Sequence, residues 1–277
     1  MESAKEPKSD KELAFLRDLY VMPDWGERFA VLLDEHLELP KAGRILYVEA
    51  GTGGHAMAVR ERLENEVQLV CVDQNDDCLD LARAKATAIH AEIEFSQAEP
   101  DGLPFPDNEF DLVIGDTSLI TPHRLQPVVA ELGRVALPNG SVALTAATAG
   151  SFGEFFSIYW EALATSGLID QGVDIQHLIT ELPTASDVEE MATRAGIESP
   201  TSWTNVEEFT FDSGEAFLNA PLITDFLLPY WIQPLPESAR DSILAGIVSA
   251  IDDDRVEADF VMSVKATLVV GKKGIGG

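Results

Sequence analysis

The sequence predicts an α/β protein with a doubly wound, mostly parallel sheet of seven strands and helices on both faces. Three observations carry that expectation. From residue 44 to residue 146, short apolar runs alternate with segments of helical periodicity. The first such run, RILYV (44–48), feeds directly into a glycine-rich turn, Glu49-Ala50-Gly51-Thr52-Gly53-Gly54. Strand-length runs separated by helices at this spacing imply βαβ units, because parallel strands need crossover connections.

The elements follow in order. Residues 11–20 and 26–38 space their apolar side chains as helices do, with Asp24 placed to cap the second. Gly43 breaks the chain ahead of the first strand, and a helix over 55–63 follows the glycine turn. A second strand, 67–72, ends at Asp73, and Asp76 or Asp77 opens the helix over 78–90. The third and fourth strands are expected at 92–96 and 110–115. A helix over 123–135 ends in the turn Pro138-Asn139-Gly140, and the fifth strand covers 141–146. Beyond residue 150 the pattern becomes helical, with amphipathic segments at 153–167 and 174–183. Ser186 suits the N-cap of a helix over 187–196. A strand near 203–211, helices over 214–228 and 237–251, and a last strand at 260–270 complete the reading. Composition makes residues 1–10 and 271–277 tails and 252–259 an acidic loop.

The chain has 277 residues, 45% of them hydrophobic, enough for one sizeable core with insertions. Nineteen basic residues face 48 acidic ones, for a net charge of −29. Such a surface repels phosphate backbones and anionic lipid heads, so neither nucleic acid nor a membrane is the expected partner. No apolar stretch approaches a membrane span, and the N-terminus lacks the apolar run of a signal peptide, so the expected location is the cytoplasm. Cys71 and Cys78 are too few for a disulfide framework, and His36, His90 and His177 show no metal-ligand spacing. No metal is expected, and the sequence does not indicate an oligomeric state.

Chemistry belongs where parallel strands end. Glycines after the first strand let the backbone pass close under a nucleoside ligand, although such a turn also serves as a plain tight βα connection. Asp73 lies twenty residues past Gly53, where an acid can accept hydrogen bonds from both ribose hydroxyls. Its competing use is to cap the following helix, a task that Asp76 could perform equally well.

Three stretches carry a family resemblance: VDQNDDCLDLARAKA (72–86), LPFPDNEFDLVI (103–114) and ELGRVALPNGSVALT (131–145). Together they resemble class I S-adenosylmethionine-dependent methyltransferases over about residues 42–148. The branch resembled includes the ubiquinone and menaquinone C-methyltransferases and the malonyl-carrier-protein O-methyltransferase. The resemblance implies a Rossmann-like domain over 40–277 whose last strand is antiparallel. Helical insertions would fall at about 151–184 and 213–257, and residues 1–39 would form a helical flap. It implies S-adenosylmethionine as cofactor, with Gly51 and Gly53 beneath its methionine and ribose parts and Asp73 on the ribose hydroxyls. Glu99, with Ala98 beside it, would accept from the adenine amine, and Gly115, Asp116 and Thr117 would line the methionine end. His123, just beyond the fourth strand, is the candidate general base, and a histidine there also serves simply as a helix-start residue.

The first loop departs from the family pattern acid-x-Gly-x-Gly-x-Gly. Tyr47 stands in place of the strand-end acid, and Glu49 in place of the first glycine. Either Glu49 meets the cofactor's ammonium group from two residues further along, or it projects into the pocket and weakens binding. A carboxylate facing a cationic ligand favours the first.

The functional expectation is methyl transfer to a small, partly apolar molecule. One alternative is a non-catalytic cofactor-binding or regulatory protein with a degenerate first loop. Another is an NAD(P)-dependent oxidoreductase, since Gly51-Thr52-Gly53-Gly54-His55-Ala56 also satisfies the dinucleotide fingerprint. The aromatics of the two insertions, among them Phe155, Phe156, Tyr230 and Trp231, suggest an apolar substrate cavity.

Overall fold

The computed structural model describes residues 7–253 and 259–275. Seven strands form one sheet: β1 (Gly43–Val48), β2 (Val67–Asp73), β3 (Glu94–Gln97), β4 (Phe110–Asp116), β5 (Ala136–Thr148), β6 (Ile197–Phe211) and β7 (Phe260–Lys273). Their order is β3-β2-β1-β4-β5-β7-β6. The first five strands pair in parallel, and β7 runs antiparallel to both β5 and β6. The predicted doubly wound sheet with an antiparallel last strand is what the chain forms. Strand order reverses between β1 and β4, which puts a crevice beyond their carboxyl ends.

Helices α3 (Gly54–Glu61), α4 (Asp76–Ala88), α5 (Pro122–Val135) and α8 (Ala185–Arg194) make the crossovers, and α1 (Asp10–Leu16) and α2 (Glu27–His36) precede the sheet. The sheet separates two apolar clusters. One contains Ile45, Leu69 and Ile114 with Trp25 and Phe29 of the N-terminal segment. The other contains Leu46, Val70 and Val113 with Val128 and Leu132 of α5. Alternate residues of β1, β2 and β4 thus serve opposite clusters, as the two-residue period of a strand requires.

The insertions are α6 (Gly153–Thr165), α7 (Gln176–Thr180), α9 (Gly214–Asn219), α10 (Leu228–Trp231) and α11 (Glu237–Asp253), with a π-wound turn over Leu222–Leu227. Phe155, Tyr159, Phe217 and Ile247 join the first cluster, so these insertions are an extension of the core.

Several boundaries differ from expectation for local reasons. The predicted break near residue 24 is absent, because a π-wound segment, Arg17–Gly26, joins α1 to α2 with Pro23 inside it. Asp24 accordingly caps nothing and instead accepts from Arg28 Nε at 2.7 Å. Thr184, not Ser186, caps α8, because Asp187 completes a reciprocal capping box with it. The predicted turn at 138–140 is absorbed into β5 as an irregularity in its pairing with β4. Residues 214–228 form three short helical pieces, not one helix. Residues 271–273 belong to β7, while the expected frayed residues 1–6, acidic residues 254–258 and residues 276–277 lie outside the described residues.

Candidate functional site

The turn after β1 is shaped by three residues with positive φ: Glu49 (57°), Gly51 (57°) and Gly53 (78°). This backbone swings the Gly51 N–H onto Asp73 Oδ2 at 2.8 Å. Asp73 is fully buried at the end of β2. Its Oδ1 accepts from the Asn75 N–H at 2.9 Å, and Asn75 in turn caps α4 by accepting from the Cys78 N–H. Asp73 thus braces the residue that caps α4 and also faces the glycine turn. Glycine at 53 serves close packing, since a Cβ there would come within 2.8 Å of Ala82 on α4.

Glu49 is 5% exposed and lines an open cleft with Arg17, Gln74, Cys78 and Leu119. Its Oε2 accepts from Gln74 Nε2 at 3.2 Å, and its Oε1 has no partner. Burial and the neighbouring Asp73 carboxylate push its pKa up to about 8, against the opposing pull of Arg17 and Gln74. Burial would lower the pKa of Arg17, but Asp73 and Glu49 beside it hold that guanidinium above its ordinary value. Burial raises the Cys78 thiol to about 11, which keeps it protonated and unreactive near neutral pH. Tyr47, at the strand-end position, turns into the first cluster and meets His55 Nδ1 through its hydroxyl at 2.9 Å.

The other predicted residues divide. The Ala98 N–H donates to the Asp73 carbonyl at 3.1 Å, which fixes the start of the next loop beside the cleft. Glu99 is exposed and paired with Arg124 Nη2 at 2.9 Å. Gly115 packs against Leu132, its missing side chain admitting α5. Asp116 accepts from the Ser118 N–H at 3.2 Å and from Thr145 Oγ1 at 3.1 Å. Thr117 is buried and donates its hydroxyl to the Thr145 carbonyl at 2.5 Å. His123 is exposed, with its ring 6.2 Å from that of Tyr230. Arg17 and Gln74 are central to the cleft yet went unnoticed in the sequence, since a helix arginine and a glutamine after a strand carry no motif.

Next to the cleft lies a second cavity of about 60 Å³, walled by α6, α7 and α10 against the ends of β4 and β5. Phe152, Phe156, Phe226, Tyr230 and Trp231 supply aromatic walls, and Thr117, Ser118, Thr121 and Tyr230 supply its hydroxyls. No charged side chain lines it among the described residues. Leu119, Ile120 and Phe226 line both spaces, so the two meet. No group of three or more His, Cys, Asp or Glu placed to hold a metal ion occurs among the described residues.

Strand order, the antiparallel β7 and the glycine turn at the switch point together define a Rossmann-like fold of the methyltransferase kind. Residues 45–140 match the methyltransferase domain family. The chain is 33% identical over 141 residues to a demethylmenaquinone methyltransferase of Deinococcus radiodurans, covering 50% of this chain and 57% of that protein. It thus spans little more than half the length of that curated relative. The YcgJ protein of Bacillus subtilis superposes with a TM-score of 0.58 at 19% identity, covering 90% of this chain and all of that one. Phosphoethanolamine N-methyltransferase 2 of Haemonchus contortus, in complex with S-adenosyl-L-methionine, gives 0.54 at 17% identity over 98% of this chain and 61% of its own. Over residues 45–140 the chain is thus similar to the methyltransferase domain family.

Proposed function

We propose that this protein binds S-adenosylmethionine in the polar cleft and transfers its methyl group to a small, uncharged, largely apolar molecule held in the adjoining cavity. One observation carries the reading: a charged cleft and a cavity without charged lining meet at Leu119, Ile120 and Phe226. The residues of the cleft fit the cofactor's chemistry. Asp73 offers a fixed carboxylate for a diol, and the orphaned, buried Glu49 Oε1 is an acceptor suited to an ammonium group. By the family resemblance Glu99 and Ala98 would take the adenine end, and Gly51, Gly53, Gly115, Asp116 and Thr117 the remainder.

The bound cofactor would supply an electrophilic methyl on a sulfonium leaving group, so the protein's task is alignment and water exclusion. The Ser118 hydroxyl accepts from Trp25 Nε1 at 2.9 Å, which leaves its own proton free to donate toward an acceptor in the cavity. Aromatic walls exclude water from the transfer path. His123 lies outside the cavity lining and would reach a substrate only at the cavity's rim, near Tyr230. Relatives named for demethylmenaquinone suggest a ring system of that general kind as the methyl acceptor. No described helix is long and apolar enough to cross a membrane, and we place the protein in the cytoplasm.

Titration calorimetry against S-adenosylmethionine and NAD tests the reading directly. Binding of the first alone is expected. Binding of NAD alone would replace this function with the oxidoreductase alternative. Binding of S-adenosylmethionine with no transfer to any member of a broad phenol and quinol panel would favour the non-catalytic one.

A further inference from the structure

Arg17 stands where a nucleoside would need to be. Its Nη1 donates to Asp73 Oδ2 at 3.2 Å, the same oxygen that accepts from the Gly51 N–H. A Cβ built on Gly51 would lie 3.2 Å from Arg17 Cζ and Nε, so the guanidinium lies directly over the glycine turn. With Asn75 on Oδ1 and Gly51 and Arg17 on Oδ2, Asp73 has no open side, and it is fully buried. A diol can reach that carboxylate only by taking the place of Arg17.

The later part of the segment that carries Arg17 is anchored in the core by Val21 and Trp25, while its start is held by a few polar contacts. Asp18 accepts from Thr52 Oγ1 at 2.5 Å and from Lys85 Nζ, and Lys8 pairs with Asp225 at 2.5 Å. The segment is π-wound from Arg17 to Gly26 and contains Pro23, which can donate no backbone hydrogen bond. Arg17 Nε and Glu49 Oε1 are both buried without partners in this arrangement. Two unmatched polar atoms facing one cleft mark a contact that a better-matched ligand can replace.

We propose that Arg17 is a resident occupant of the nucleoside end of the cleft, and that ligand entry exchanges it for the ribose diol on Asp73. The start of the π-wound segment, around Arg17 and Asp18, is the part that gives way. This inference rests on the cofactor assignment above. It makes Arg17 a determinant of affinity by competition: apparent affinity is reduced by the fraction of molecules in which Asp73 is still covered.

Adenosine is the discriminating probe, because it carries the diol and no charged tail. Its affinity is measured by calorimetry for the wild type, Arg17→Met and Asp18→Asn. Arg17→Met is expected to bind adenosine about tenfold tighter, the gain if roughly one molecule in ten has Asp73 free. Asp18→Asn, which loosens the segment but leaves Arg17 and Asp73 intact, is expected to shift in the same direction by less. Unchanged or weaker adenosine binding to a folded Arg17→Met overturns the proposal. If that variant does not fold, unchanged or weaker binding to Asp18→Asn overturns it. S-adenosylhomocysteine serves as the separate control. If it binds the wild type while neither variant gains affinity for adenosine, the exchange is wrong and the cofactor assignment stands. If neither ligand binds any of the three proteins, both fall.

Discussion

The two halves of the site are built on opposite principles. The cleft beyond β1 and β2 sets Glu49 beside the Arg17–Asp73 ion pair, all three nearly buried. The cavity beyond β4 and β5 is lined by aromatic and aliphatic side chains and a few hydroxyls. In the first, ionisable groups hold one another through costly, partly unmatched contacts, so ligand exchange is a matter of replacing partners. In the second, the walls are the protein's own core, so shape and apolar area decide what enters. The proposed methyl transfer would use both: a polar socket for a charged donor, and an apolar chamber for the acceptor.

The largest expected effect lies on the apolar side. Trp231 is buried and stacks on Phe155 with centroids 4.5 Å apart, and Tyr159 donates to its carbonyl. Trp231→Ala is expected to cost about 3–5 kcal/mol of stability in urea denaturation, as large aromatic truncations in cores do. A loss below about 1 kcal/mol would separate the cavity wall from the core and break the contrast drawn above.

Next comes Asp73. Asp73→Ala is expected to weaken S-adenosylhomocysteine binding by about 1.5–3 kcal/mol, the scale of losing charge-assisted hydrogen bonds. It also leaves the buried Arg17 guanidinium without its partner, so the denaturation midpoint should fall as well. Unchanged affinity in calorimetry would move the ribose elsewhere.

Glu49 sharpens the comparison through pH. Its folded pKa, about 8, stands above the ordinary carboxylate value of 4.5. The folded state therefore holds a proton that the unfolded state releases, and stability falls as pH rises from about 4.5 through about 8. Glu49→Gln should flatten that slope. A cationic ligand favours the ionised carboxylate, so wild-type affinity for S-adenosylmethionine should rise through the upper part of the same window. Glu49→Gln is expected to remove that rise and weaken binding above it by about 1–2 kcal/mol. Tighter binding in the variant would show instead that Glu49 obstructs the cleft.

The smallest effect belongs to Glu99. Its carboxylate is exposed and shares Arg124 with Asp101, so Glu99→Ala should change stability by less than about 1 kcal/mol. A loss of adenosine affinity without a stability change would support its place beside the adenine.

The sequence by itself determined the succession of strands and helices, the glycine turn after the first strand and the acid at the end of β2. Strand and helix periodicities are local, so they can be read before any tertiary contact is known. Capping was harder to place: Thr184 prevailed over Ser186 through its reciprocal contact with Asp187, and Asn75 caps α4 while its own N–H is held by Asp73. Asp24 suggested a cap between two helices, yet the π-wound backbone carries the chain past it, since burial of Val21, Trp25 and Phe29 holds both sides in register. What only the tertiary structure decided is the occupancy of Asp73. Arg17 and Asp73 are 56 residues apart, and no local pattern records that a helix arginine will fold onto a strand-end carboxylate. The cavity is likewise a tertiary product. Its walls come from four separate segments, and aromatics at helical spacing look the same in sequence whether they fill a core or enclose a chamber.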